Sequence, residues 1–240
     1  MKILIVNDDG IQADGIKHLV NWAKTKGEVT VFAPKVQQSA KSHSIEIHNA
    51  FEVKKSDLFG GVEAYSVDST PSDCVRIATL AFKKKFDLVI SGINCGFNLG
   101  EDIHYSGTVG ACFEAAKSGM KTMAVSTCFT SFQNAVKNLD RVFGEIQQRR
   151  MFDFTDILNV NIPEVGDEIL ITKVGKAIYS DRFEFLDGDM VMPNLICLYD
   201  GSRNPEIDTD AVMTGHISIS PLRLDSTDAF ALERITKKVG

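Results

Sequence analysis

Apolar residues in this chain recur with two alternating periods, one suited to buried strands and one to helix faces. Ile3-Leu4-Ile5-Val6 is a continuous apolar run of β-branched and aliphatic residues, the pattern of a strand buried on both faces. Residues 14–26 then carry Ile16, Leu19, Val20 and Ala23 on one helical stripe. A second strand is expected over 28–33, stopped by Pro34, and the polar stretch 35–44 reads as a loop. Shorter strands are expected near 45–53 and 62–67. Thr70-Pro71 opens a helix, with Thr70 as cap and Pro71 at the first helical position; Cys74, Val75, Ala78, Ala81 and Phe82 would share its buried face. Residues 86–90 form the next buried strand, followed by a glycine-rich loop over 91–107 and a helix that runs to Ser118 and stops at Gly119. A strand over 121–126 and a helix over 134–149 complete the series, the helix carrying Ala135, Val136, Leu139, Val142, Phe143 and Ile146 at helical spacing.

Strands alternating with helices imply right-handed crossovers and a mostly parallel sheet covered on both faces. The expected fold class is therefore α/β, with this core over residues 1–160. Beyond it the texture changes. Residues 169–174, 190–198 and 216–220 read as strands without long helices between them, so 161–240 is expected to be a β-rich subregion that completes a single domain. It would include an arm or hairpin used in subunit contacts.

Composition narrows the function. A chain of 240 residues can bury roughly 70–75% of its unfolded surface, enough for one large core. A net charge of −6 argues against binding a nucleic-acid polymer, which calls for a basic face. No apolar run approaches the length of a membrane span, and no secretory leader pattern opens the chain. Cys74, Cys95, Cys112, Cys128 and Cys197 are scattered and odd in number, which reads as reduced thiols in a cytoplasmic protein. The histidines show no zinc-type spacing. Lys83-Lys84-Lys85 reads as a solvated helix end.

Four stretches could carry chemistry. Asn7-Asp8-Asp9-Gly10 follows the first strand directly, at the sheet edge where open α/β folds bind ligands. Two adjacent carboxylates repel and lose hydration there unless a cation or several donors offset them; a hard divalent cation is the simplest offset. The plainer reading is an acid pair that caps the next helix. Ser91-Gly92-Ile93-Asn94-Cys95-Gly96-Phe97-Asn98-Leu99-Gly100 can face that pair across the crevice, with Asn94 and Asn98 offering neutral oxygens and N–H donors. Asn and Gly also populate ordinary turns. Tyr105-Ser106-Gly107-Thr108-Val109-Gly110 runs into a helix, whose free N–H groups beside two hydroxyls could cradle a phosphate, or be capped and nothing more. The loop after the second strand offers the Ser39 hydroxyl, with Lys41 and His43 as positive charge. Each signal alone is modest; acid, amide and hydroxyl oxygens from separate loops are nevertheless expected at one edge of one sheet.

Taken in order, Asn7-Asp8-Asp9-Gly10-Ile11, Ser39-Ala40 with His43-Ser44, Ser69-Thr70-Pro71-Ser72-Asp73-Cys74-Val75, Ser91-Gly92-Ile93-Asn94 with Gly96, Asn98 and Gly100, and Tyr105-Ser106-Gly107-Thr108-Val109 resemble the SurE survival-protein family. Gly215-His216-Ile217-Ser218-Ile219-Ser220-Pro221-Leu222 is similar to that family's closing strand, so the resemblance covers nearly the whole chain. It implies a Rossmann-like three-layer core with C-terminal β elements used in homodimer or homotetramer assembly. It also implies a metal-dependent phosphatase acting on nucleoside monophosphates, as a 5′-nucleotidase with 3′-nucleotidase and short-chain exopolyphosphatase action beside it.

By that resemblance Asp8, Asp9, Ser39 and Asn94 would hold one divalent cation per subunit, Mg2+ or Mn2+. Asp8, Asp9 and Asn94 would act in catalysis, and Gly10, Asn98, Ser106, Gly107 and Thr108 would bind phosphate. The chain departs from the family at Ser42, where a Gly usually precedes the His, and at Ala115, where a Gly tends to follow the Glu. Neither change removes an expected ligand. Haloacid-dehalogenase phosphatases need Asp-x-Asp, which the adjacent acids do not provide. A receiver-type domain needs an acceptor Asp ending a later strand, where this chain has Ala33-Pro34 and Ser91-Gly92. The remaining alternative is a nucleotide-binding or receiver-like module without hydrolytic activity.

Overall fold

The computed structural model describes residues 1–238. The first half of the chain runs β1 (Lys2–Val6), α1 (Asp14–Ala23), β2 (Glu28–Pro34), β3 (Val53–Ser56), β4 (Glu63–Val67) and α2 (Pro71–Arg76), then β5 (Leu88–Cys95), α3 (Gly107–Lys117), β6 (Lys121–Thr127) and α4 (Gln133–Gln148). It continues through β7 (Ile157–Ile162), β8 (Ile169–Ile171), β9 (Tyr179–Phe185), β10 (Val191–Cys197), α5 (Asp208–Met213), β11 (Ile217–Leu222) and α6 (Ala229–Lys238).

Nine strands form one sheet in the order β3-β4-β2-β1-β5-β6-β7-β11-β8. From β4 to β7 every neighbour is parallel; β3 and β11 enter antiparallel. The α/β expectation holds. The order β4-β2-β1 on one side and β5-β6-β7 on the other makes the β1/β5 boundary the point where the winding reverses. In open α/β sheets that reversal opens a crevice at the strands' carboxyl ends.

Two apolar layers sandwich the sheet. Ile3 and Ile5 pack with Ile16, Leu19, Leu139 and Val142 on the α1/α4 side, whereas Leu4 and Val6 pack with Val75, Ala78, Ala111 and Ala115 on the α2/α3 side. Strand side chains alternate between faces, and here both faces are covered; this is why β1 reads as an unbroken apolar run. Burying each such aliphatic side chain contributes about 1.5–3 kcal/mol.

Several expectations need correction. Residues 45–52 form no strand; the strand begins at Val53. The helix opened by Thr70 widens into a π-turn over Ile77–Ala81, which rotates later residues off the α-helical stripe. Ala81 and Phe82 therefore reach the surface, although the Phe82 ring still packs edge-on against Phe32 and Tyr65. β5 does not end at Ile90 but runs to Cys95, through residues that resemble turn chemistry. The extension pairs with β6 after a register shift between Gly92 and Asn94. A Cβ at Gly92 would lie 2.2 Å from the Val125 carbonyl oxygen, so only glycine lets the strands meet there. β7 and the helix α6 add elements that the pattern did not announce.

Among the described residues β9 and β10 pair only with each other, as a hairpin outside the main sheet. No helix among the described residues is long and apolar enough to cross a membrane.

Candidate active site

β1 delivers Asp8 and Asp9 to the crevice, and the two side chains diverge. Asp8 is buried and faces the start of α3, where Thr108 Oγ1 donates to its Oδ1 at 2.5 Å. Asp9 faces β5: Cys95 N donates to its Oδ2 at 3.0 Å, and Gln37 Nε2 lies 3.5 Å from its Oδ1. Asn7 is buried beneath the pair and closes the turn by donating from Nδ2 to Gly10 O at 2.8 Å.

The approach of α3 depends on a missing side chain. A Cβ at Gly107 would stand 2.9 Å from the Asp8 Cβ and 3.2 Å from the Gln38 carbonyl oxygen. Glycine is thus what lets the helix N-terminus touch both the acid and the loop that carries Ser39. Ser106 caps that helix, its hydroxyl accepting from Val109 N at 3.1 Å. The positive end of α3 consequently faces Asp8.

Both carboxyls are held above their ordinary range. Burial is the main cause for Asp8, with the charge of Asp9 adding to it and the Thr108 hydroxyl opposing it, and the result is about 6. Burial also raises Asp9, against the Cys95 amide and Gln37. No cation figures among the groups acting most strongly on either residue. Two adjacent carboxyls raised by burial, next to neutral oxygens, fit a hard divalent cation by donor chemistry.

Those neutral oxygens come from two elements. Asn94 sits on β5 beside the Cys95 amide that binds Asp9. Its Nδ2 donates to Gly96 O at 2.7 Å, which turns its Oδ1 to the other side of the carboxamide. Ser39 is exposed on the loop after β2, and its Oγ accepts from Gln37 Nε2 at 3.0 Å, the same amide that reaches Asp9. The structure thus brings Asp8, Asp9, Ser39, Asn94, Ser106, Gly107 and Thr108 to one edge.

Two expected phosphate groups have other partners. The Gly10 carbonyl accepts from Asn7 Nδ2 and Ala13 N, so this residue shapes the turn. Asn98 is buried just behind the edge, its Nδ2 donating to Ser126 Oγ at 2.8 Å. His43 bonds Glu114 Oε2 at 2.8 Å, seven residues along α3 from Gly107. At about 1.5 Å of rise per residue it stands two turns from the acid pair and anchors the loop.

Sequence reasoning passed over three groups: the Gln37 amide, the Cys95 N–H and the Thr108 hydroxyl as a partner of Asp8. Gln37 has a polar side chain two residues before Ser39, which was a usable signal. The Cys95 contact is made by backbone and leaves no mark in the sequence.

Ser42 adopts φ +53°, a left-handed conformation that favours glycine. Its carbonyl would lie 2.2 Å from a Cβ at Gly110, so the loop presses directly on α3. Ala115, on α3, is fully buried against the sheet.

Comparison with known proteins gives a consistent picture. The family model described as survival protein SurE matches residues 3–181. The chain is 36% identical to the 5′-nucleotidase SurE of Clostridium beijerinckii, over 99% of this chain and 98% of that one. It is 35% identical to the 5′-nucleotidase SurE of Thermosipho melanesiensis, over 99% and 97%. Among solved structures, the SurE protein of Aquifex aeolicus superposes with a TM-score of 0.84 at 31% identity, covering 100% of both chains.

Proposed function

Because the chain belongs to the SurE family, we propose that it is a 5′-nucleotidase, a phosphoric monoester hydrolase that converts nucleoside monophosphates and water to nucleosides and inorganic phosphate. The observation that carries this reading is the meeting of the Asp8–Asp9 pair with the α3 N-terminus at the β1/β5 crevice. An anionic phosphate and two carboxylates can share that space only if positive charge lies between them.

Asp8, Asp9, Ser39 and Asn94 would hold the divalent cation, with Mg2+ or Mn2+ as the hard ions that suit an all-oxygen donor set. When bound, such a cation supplies positive charge against the phosphoryl oxygens and acidifies water. The chain's own groups do the rest. The Thr108 hydroxyl and the Cys95 amide fix the two carboxylates in divergent orientations. At the start of α3 the Gly107 N–H donates to a phosphate oxygen and stabilises charge that builds in the transition state, while Thr108 holds Asp8 through its hydroxyl and its backbone N–H. Asn98 supplies a further polar contact from the connection to α3. Action on 3′-nucleotides and short polyphosphate is the wider range proposed for the same site.

The hairpin supports self-association into a homodimer or homotetramer. Phe183, Phe185 and Leu195 are 63%, 84% and 68% exposed on β9 and β10, an apolar surface that a lone chain has no use for. The five cysteines are free, which suits a reducing cytoplasm.

Phosphate release from AMP tests the reading. Release is expected with Mn2+ or Mg2+ and is expected to stop when EDTA is added. AMP binding with no phosphate release under any divalent cation would instead make this a nucleotide-binding module.

A further inference from the structure

Three buried polar side chains lie behind the crevice and have no part in the chemistry above. Ser126, Asn159 and Asn161 are each 0% exposed. Ser126 lies on β6 and both asparagines on β7. All three converge on one residue, Asn98, in the connection between β5 and α3. The Asn161 carboxamide meets the Asn98 main chain at both ends: Asn98 N donates to Asn161 Oδ1 at 2.9 Å, and Asn161 Nδ2 donates to Asn98 O at 2.8 Å. A neighbouring strand would offer the same pair of bonds. Asn159 Nδ2 donates to the same carbonyl at 2.9 Å, and Ser126 Oγ accepts from Asn98 Nδ2 at 2.8 Å.

The register shows how this set reaches the site. Asn94 is the Cα partner of Ser126, and Ser126 is the Cα partner of Asn161. One row across three strands therefore runs from the candidate cation ligand to the groups beneath Asn98. Desolvating two carboxamides in a parallel sheet costs several kcal/mol unless hydrogen bonds offset it. Apolar residues at positions 159 and 161 would pack the sheet without that cost. Among the described residues no donor meets the Asn159 Oδ1, so the set is not optimised for stability alone.

We propose that Asn161, Asn159 and Ser126 form a positioning clamp that fixes the Asn98 peptide, so that the β5–α3 connection presents Asn98 and the Gly107 amide to the substrate's phosphoryl group. The proposal rests on the nucleotidase reading for its functional consequence. Its structural part, the amide pairing, is testable without activity. The three are positioning residues; none touches the reacting atoms.

The informative variant is Asn161→Asp. As a carboxylate it keeps the acceptor for Asn98 N but sets a negative oxygen against Asn98 O. Once protonated, its O–H donates to that carbonyl and the amide pattern returns. Burial and the facing carbonyl raise the pKa of the introduced acid, so the deficit of the variant is full at alkaline pH and shrinks as pH falls. The metal-free variant should therefore melt below wild type at pH 8, and the gap in Tm should narrow at pH 5.5. With saturating Mn2+, its kcat/KM for AMP relative to wild type at the same pH should be down about tenfold or more at pH 8 and should recover on acidification. Inhibition by inorganic phosphate should weaken and recover in parallel. Ser126→Ala should raise KM for AMP a few-fold while kcat changes little.

A relative activity that stays flat with pH while the Tm gap narrows would make the set a structural anchor only, and would overturn the positioning role. Wild-type activity in Asn161→Asp at pH 8 would do the same. Should Asn161→Asp fail to fold, Ser126→Ala and Asn159→Ala decide: unchanged KM for AMP and unchanged phosphate inhibition in both refute the clamp. Absence of phosphate release from the wild type would count against the nucleotidase reading instead, and the Tm series would still report on the amide pairing.

Discussion

The β1/β5 crevice and the β9–β10 hairpin break the burial rule in opposite directions. In the crevice Asp8 is buried beside a second acid, with no cation among the groups that act on it most strongly. On the hairpin Phe185 is 84% exposed. Core residues such as Leu4 obey the rule, and for them the chain's own side chains complete the balance of forces. Where the rule fails, they do not. A carboxylate kept from water calls for positive charge, and an aromatic ring kept in water calls for another apolar surface. The proposed function uses both kinds of misplaced side chain, and each kind predicts a different response to mutation.

The largest effect should come from the crevice. Asp9→Asn keeps the size of the side chain and removes its charge, so it should lower kcat/KM for AMP by about 10²–10³-fold with little change in fold, measured by phosphate release and circular dichroism. Full activity in that variant would break the contrast.

Packing separates the regions next. Leu4→Ala should destabilise the protein by about 3–4 kcal/mol in urea, because Leu4 is fully buried. Phe185→Ser should cost the single chain under about 0.5 kcal/mol and should instead reduce the assembled mass seen by light scattering. If Phe185→Ser destabilised the chain as much as Leu4→Ala, the hairpin would be part of the core.

A pH series sharpens the electrostatic half. Burial holds the Asp8 carboxyl at about 6 when folded, above its ordinary value. The folded state therefore binds this proton more tightly than the unfolded chain, and charging Asp8 costs stability as pH rises through that range. Asp8→Asn should stabilise the metal-free protein by about 1–3 kcal/mol at pH 7.5, and the gain should vanish near pH 4. Saturating Mn2+ should reverse the order at pH 7.5, because only the wild type gains from the cation.

The smallest effect concerns the loop that carries Ser39. Ser42→Gly relieves a left-handed conformation and should stabilise the fold by about 0.5–1 kcal/mol in thermal unfolding. A loss of stability would mean that the Ser42 side chain makes up for its backbone strain.

The sequence was legible where burial imposes a period. β1, α1, α4 and the start of α2 at Thr70 follow from their apolar spacing and cap chemistry. It was misleading where composition mimics a turn. Ser91, Gly92 and Asn94 read as loop, yet they continue β5, because Gly92 admits a strand that another side chain would push away. The π-turn after Arg76 was invisible because it changes the period within one helix. At the site, the chain offers Asp8, Asp9, Asn94 and the Ser39 and Thr108 hydroxyls as candidates. Their partners could not be read from it: the Cys95 amide is backbone, and the two asparagines that bond Asn98 lie more than 60 positions along the chain from it.

Anomalous diffraction from crystals grown with Mn2+ tests the central claim most directly. One peak is expected per chain, in contact with Asp8, Asp9, Asn94 and Ser39. A peak elsewhere, or Asp8 and Asn94 too far apart to reach a common ion, would contradict it.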